Sequence, residues 1–263
     1  MFENNKNIVY QEKNGIKFIQ FKKLLELNIK HAYTLKNDGM NFRSDCEEEM
    51  ESYRKIFSAL DLDVDTRIKP IQRHTANIKC IERKVSKEEL MEVDGLITNQ
   101  KGLTLITTNA DCILFMFYDP VKKVIANVHS GWKGTFQKIA EKAVVKMINY
   151  YKCNPKDILV FINPSIRKCH FEVYEDVKEL CEYIFNFTKK TNEFIEVGEI
   201  KDGKQKYFID TVMINKILFK ELGIKEENIF DCNLCSVCNS NIINSYRVDG
   251  KENYKLGAAL ISL

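Results

Sequence analysis

Three apolar segments in close succession constrain this chain most: residues 103–109 (LTLITTN), 112–119 (CILFMFYD) and 124–130 (VIANVHS). Each is short, rich in β-branched and aromatic side chains, and bounded by turn signals. The first two meet at Asn109 to Cys112, and Asp119-Pro120 ends the second, so they read as buried strands. No apolar run approaches the ~20 residues that cross a membrane as a helix.

Amphipathic helical patterns surround these strands. Residues 47–60 (EEEMESYRKIFSAL) repeat apolar side chains at Met50, Tyr53, Ile56, Phe57 and Leu60. After VIANVHS and the turn GWKG, Thr135 is placed to cap a helix that carries Ile139, Ala143, Val144, Met147 and Ile148. A short strand is expected at IKFIQF and a strand-like stretch at RIKPIQRHTANIKCI. The second half then alternates strand DILVFINPSI, helix VYEDVKELCEYIFNF, strand KYFID, helix TVMINKILFKELG and strand NIFDC, and the tail SYRVDGKENYKLGAALISL reads as a hairpin ending in a buried strand. Strands and helices in this proportion predict layered sheets faced by helices. The 4 prolines and 11 glycines are scattered, so no linker is visible, and 263 residues are expected to form one domain, 1–263.

Charge excludes some functions. Lys and Arg number 40 against 37 Asp and Glu, interspersed along the chain, which is a solvated surface and not the clustered basic face of a nucleic-acid binder. The start MFENNKNIVYQEKNG lacks the apolar core of a signal peptide, and a cytoplasmic location is expected. The nine cysteines are then expected as thiols or metal ligands, since disulfides rarely persist there.

The chemistry-bearing residues gather at strand edges. Cys112 follows Asp111 at the bend NADC, and an aspartate in so apolar a setting needs a partner, a role that a cation or metal suits. Two histidines and one cysteine make an open zinc set, three protein ligands with the fourth position left for water or substrate. His74, Cys112 and His129 are candidates, although their separations fit no local zinc-finger pattern. A competing pattern, His170-Phe171-Glu172 followed by Cys235-Ser236-Val237-Cys238, mimics the zinc deaminase signature. Leu234 stands where that signature has proline, so the cysteines at 232, 235 and 238 read alternatively as buried thiols or as a redox-sensitive or metal-binding patch.

Four segments together resemble one family: Gln72-Arg73-His74, Asp94-Gly95-Leu96-Ile97-Thr98, Asn109-Ala110-Asp111-Cys112 and His129-Ser130-Gly131-Trp132-Lys133-Gly134. These are similar to the laccase-domain, or YfiH-like, proteins, described variously as polyphenol oxidases, peptidoglycan editing factors and purine nucleoside phosphorylases. The resemblance implies an α+β fold, an α/β/β/α sandwich with mixed sheets, and His74, Cys112 and His129 as ligands of zinc, with copper as the alternative. It implies phosphorolysis of adenosine, inosine and S-methyl-5'-thioadenosine, with adenosine deamination as a second activity. The partners are then a purine nucleoside and phosphate, with neither nucleic acid nor membrane, in a monomer or small homo-oligomer. Asp111 would shuttle a proton beside Cys112 and His74, Trp132 would stack on the base or plug the core, Lys133 or Arg247 would hold phosphate, and Asn41 would meet the ribose or base. Lys36, Lys133 and Lys255 stand where relatives commonly carry arginine, which removes bidentate anion recognition. Two other enzyme readings remain at this point. One is a copper-dependent polyphenol oxidase, for which four histidines are few. The other is a cysteine hydrolase editing peptidoglycan precursors through Cys112.

Overall fold

The computed structural model describes residues 4–44 and 46–263. In chain order its strands are β1 (Ile8–Lys13), β2 (Ile16–Phe21), β3 (Lys30–Thr34), β4 (Arg67–Ile68), β5 (Ile78–Cys80), β6 (Gly95–Thr98), β7 (Thr104–Asn109) and β8 (Ile113–Asp119). They continue as β9 (Val124–Ser130), β10 (Leu159–Ile162), β11 (Glu172–Val173), β12 (Ile195–Lys201), β13 (Lys204–Ile209), β14 (Ile229–Asp231) and β15 (Gly257–Ser262). The helices are α1 (Lys22–Glu26), α2 (Glu49–Ala59), α3 (Trp132–Phe136), α4 (Ile139–Tyr151), α5 (Glu175–Phe185), α6 (Thr191–Phe194), α7 (Thr211–Glu221) and α8 (Tyr246–Asn253).

Two six-stranded mixed sheets pack face to face, ordered β1-β2-β3-β15-β7-β4 and β14-β10-β8-β9-β6-β5. Side-chain alternation along each strand explains the layers. In β7, Leu105 points into the core between the sheets while Ile106 packs under α2. In β8, Leu114 and Met116 face the other sheet, while Phe115 and Phe117 meet α4 and α7 through Val144, Met147 and Phe219. The order of layers is therefore α2, sheet, sheet, α4 with α7, the expected α/β/β/α sandwich. Asn127 of β9 is fully buried and ties the two sheets together, its amide donating to the carbonyls of Leu105 at 3.0 Å and Ala259 at 2.9 Å. A third sheet, β11-β13-β12, lies with α3, α5, α6 and α7 around Phe185 and Phe194.

Several local expectations are corrected. Residues 67–81 form only the short strands β4 and β5, with an irregular segment between them that carries His74. Thr135 does not cap a long helix: it lies inside α3, and the left-handed Lys138 (φ 58) separates α3 from α4. The tail folds as helix α8 before β15, where a hairpin was expected.

Candidate metal centre and cleft

Strand register places two of the three candidate ligands. Leu114 pairs with His129 across β8 and β9, and Cys112 lies two residues before Leu114. Cys112 therefore lies diagonally across from His129, and both follow the parity of residues facing the other sheet. His74 arrives from the segment before β5 with a left-handed backbone (φ 59). Its Nε2 is 3.7 Å from Cys112 Sγ, its ring meets that of His129 edge to face at 4.9 Å, and the three donor atoms lie within 4.8 Å of one another.

Asp94 holds this geometry, a role that sequence reasoning did not give it. Its buried carboxylate accepts from the backbone amides of Arg73 (3.1 Å), His74 (3.1 Å) and Thr75 (2.9 Å) and from the Thr75 hydroxyl (2.8 Å). The same carboxylate pairs with His129 Nδ1 at 2.8 Å. That bond leaves His129 Nε2 as the nitrogen free for a metal, the usual outer arrangement of a metal-binding histidine. Burial pushes the Asp94 carboxyl upward, but the His129 and Thr75 hydrogen bonds outweigh it and hold it at about 2. For Cys112, burial is likewise outweighed by the positive potential and hydrogen bonds of His129 and His74, so the thiol falls below its ordinary range. Burial lowers His129, yet the facing Cys112 and Asp94 raise it overall. Each of the two groups favours the charged form of the other, and a divalent ion bound there would displace a proton to solvent.

Gly131 explains one requirement of the HSGWKG turn. A Cβ added there would lie 2.8 Å from His74 Cδ2 and 3.0 Å from Cys112 Sγ, so only glycine lets the backbone approach the donors this closely. Its backbone angles (φ −67, ψ 176) are open to any residue, which makes the constraint one of space.

The donors open onto a cleft of about 810 Å³. Its walls include Arg43, Arg73 and Arg247, the aromatic rings of Trp132, Phe171, Tyr246 and Tyr254, and Asp111. Asp111 adopts φ 86, and its two oxygens accept from the Ser236 hydroxyl at 2.6 Å and the Arg247 amide at 2.7 Å. The partner expected for this carboxylate is thus a hydroxyl and an amide, not a cation. Asn109, bonded to Tyr33 at 3.0 Å and to the Pro164 carbonyl at 3.0 Å, fixes the turn before it. Gln72 exchanges two 2.8 Å hydrogen bonds with the Thr108 backbone, anchoring the His74 segment to the end of β7.

Other expected contacts are placed elsewhere. Asn41 is buried, and its carbonyl oxygen accepts from the Arg43 and Leu256 amides, so it shapes the cleft wall from behind. Lys133 is exposed, with its ammonium 5.6 Å from the Trp132 ring, and does not line the cleft. Trp132 lines the cleft and packs edge to face on Phe136 at 5.4 Å. Lys36 and Lys255 line a different cavity of about 950 Å³, which contains no histidine or cysteine. The larger space is thus remote from the donor chemistry. His31 is a core residue, accepting at Nε2 from the Phe21 amide (2.7 Å) and donating from Nδ1 to the Ile29 carbonyl (2.8 Å). Arg43, Tyr246 and Tyr254 were not singled out from sequence, because they come from segments that only the fold unites, and Arg73, though it lies in the Gln72-Arg73-His74 motif, was given no role there.

Fold and site together define a class: a layered α+β protein with an open two-histidine, one-cysteine donor set at the floor of a basic and aromatic cleft. The chain belongs to the multi-copper polyphenol oxidoreductase laccase family, whose pattern it matches over residues 28–262. It is 30% identical over 223 residues to a purine nucleoside phosphorylase of Clostridium acetobutylicum, covering 84% of this chain and 86% of that one. It is also 30% identical over 211 residues to human purine nucleoside phosphorylase LACC1, covering 76% of this chain but spanning only 44% of the human protein. Among solved structures, YlmD from Geobacillus stearothermophilus superposes with a TM-score of 0.82 at 20% identity, over 97% of this chain and 98% of that one. Bacillus licheniformis YfiH, described as a hypothetical protein, gives the same TM-score at 23% identity, over 95% of this chain and 99% of that one. No helix among the described residues is long and apolar enough to cross a membrane.

Proposed function

We propose that this cleft is a metal-dependent purine nucleoside phosphorylase centre, acting on adenosine, inosine and S-methyl-5'-thioadenosine, with adenosine deamination as a second activity. The observation that carries the reading is the meeting, in one cleft of nucleoside size, of an open three-donor set with aromatic and guanidinium walls. The donors suit zinc: borderline-soft thiolate and imidazole ligands, three in number, with the 3.7 Å nitrogen-to-sulfur spacing close to the ~3.5 Å edge of a tetrahedral zinc site. His74, Cys112 and His129 would hold the ion, which would supply Lewis acidity in the cleft.

The chain's own groups divide the remaining work. Trp132, Phe171, Tyr246 and Tyr254 offer faces for a purine. Arg73 and Arg247 make no ion pair among the described residues and are the groups proposed to bind phosphate, in place of Lys133. In phosphorolysis a phosphate oxygen bonds to the anomeric carbon, the bond to the base nitrogen breaks, and the base leaves with the electron pair. Asp111, oriented by Ser236 and Arg247, is the wall group suited to carrying a proton in either reaction. The test is incubation of zinc-loaded protein with adenosine, with and without phosphate. Adenine and ribose 1-phosphate formed only with phosphate, and inosine formed as the second product, are expected. Unchanged adenosine with the metal in place overturns the proposal.

A further inference from the structure

A second cluster stands apart from the ligand set just described. Cys169, His170, Cys235 and Cys238 bring their donor atoms within 4.8 Å of one another. The Cys169 and Cys238 sulfurs are 3.9 Å apart, and His170 Nδ1 lies 3.2 Å from Cys169, 3.5 Å from Cys238 and 3.7 Å from Cys235. With Zn–S near 2.3 Å and Zn–N near 2.0–2.1 Å, a tetrahedral site has edges of about 3.8 Å between sulfurs and about 3.5 Å between nitrogen and sulfur. The spacings agree with that figure. A disulfide would need sulfurs about 2.05 Å apart, and all nine cysteines are free. One ring nitrogen has a single proton or a single lone pair, so it cannot satisfy three thiols by hydrogen bonding. A shared cation explains the arrangement directly.

We infer that Cys169, His170, Cys235 and Cys238 form a closed, structural zinc site, distinct from the cleft and independent of the function proposed for it. Three thiolates and an imidazole are a closed structural zinc set and leave no position for substrate. Binding releases the thiol protons to solvent. The local backbone is already folded for it. Cys235-x-x-Cys238 is a tight turn closed by the Asn239 amide donating to the Cys235 carbonyl (3.1 Å), and Cys169-His170 sits on a turn closed by the bond from the His170 amide to the Arg167 carbonyl (2.9 Å). The two segments are joined by the Ser236 amide donating to the Ser165 carbonyl at 2.9 Å. Of the deaminase-like signature the fold brings together the ligand positions His170, Cys235 and Cys238, while Glu172 pairs with Lys206 at 3.0 Å, Cys232 is buried beside Arg167, and Cys169, unremarked in the sequence, takes the fourth corner.

The position gives the site a purpose. Ser236, inside the Cys235-x-x-Cys238 turn, donates to Asp111, and Phe171, next to His170, lines the cleft. The ion would therefore fix the loop pair that orients one wall of the cleft. The test is the zinc content of protein purified without chelator. About two zinc ions per chain are expected, falling to about one in Cys238→Ser and to about one in the double variant His74→Ala, Cys112→Ala. Cobalt(II) loaded into that double variant should show the thiolate-to-metal absorption and intense visible bands of a tetrahedral sulfur-rich site. Unchanged zinc in Cys238→Ser, or a reductant-reversible loss of two thiols corresponding to a Cys169–Cys238 disulfide, overturns the inference. Should Cys238→Ser fail to fold, a double variant that is folded and zinc-free overturns it equally.

Discussion

Replacing Gly131 by alanine isolates the geometry of the His74, Cys112 and His129 set from everything else. The added methyl would sit 2.8 Å from His74 Cδ2 and 3.0 Å from Cys112 Sγ, against carbon contacts of about 3.5–4.0 Å. Roughly 0.5–1 Å of movement is needed, several times the ~0.2 Å latitude of a metal bond. The backbone angles tolerate alanine, so no conformational penalty enters. Without metal, the exposed His74 ring can swing aside and only the 3.0 Å contact with Cys112 Sγ remains to be relieved, so stability in chelator should fall less than metal binding does. With metal, the ring must return, and an overpacking cost of about 1–3 kcal/mol falls on binding. Zinc affinity should drop roughly tenfold to hundredfold. Competition of purified protein against a chromophoric chelator reads this directly. Gly134→Ala, whose methyl meets the Ile139 γ-methyl at 3.3 Å and the Thr75 and His129 carbonyl oxygens only at ordinary contact (3.6 and 3.8 Å), touches no donor atom and serves as the control. Wild-type zinc affinity in Gly131→Ala would refute the reasoning.

Further outcomes follow from the neighbouring groups. Asp94→Asn leaves His129 without its carboxylate partner and should weaken metal binding about 10- to 100-fold in the same chelator competition; undiminished affinity would show that Asp94 does not orient the ligand. In metal-stripped protein, Cys112 should alkylate with a pH midpoint below that of an ordinary thiol, and His129→Ala should move the midpoint up; mass-mapped iodoacetamide kinetics, with zinc giving protection, measure both. Burial lowers the His31 imidazole to about 4, below the unfolded value near 6.5. Its contribution is therefore fully present above about pH 6.5 and lost as pH falls towards 4, to a total of about 3 kcal/mol. Denaturant unfolding across that window, with histidine resonances followed by NMR, checks the sign; a His31 that titrates normally removes the effect.

The parts of the fold legible in sequence are those in which one face of an element is uniformly apolar. The β7, β8 and β9 segments, α4 and α7 all carry that pattern, and Gly223 (φ 89) ends α7 as its position suggests. What sequence could not place depends on distant pairing. The last strand, β15, lies between β3 and β7, and no local pattern encodes that insertion. The exposed strand β12 lacks a buried face and gave no signal. The His74, Cys112 and His129 set was proposed from ligand chemistry and family resemblance, and the fold brings the three together. Asp94 lay within a quoted motif, yet its role appears only when its carboxylate is seen to meet three amides and His129. Lys133 misled because it neighbours Trp132 in sequence, while α3 turns its side chain outward.

The central claim joins the metal to turnover, and a metal titration of activity tests both at once. Chelator-stripped protein, with adenosine and phosphate present, should release adenine at a rate that rises with added zinc and saturates as the His74, Cys112 and His129 site fills. His74→Ala should stay flat under the same addition. Full turnover in protein verified to be metal-free, or saturation that His74→Ala reproduces, would contradict the account.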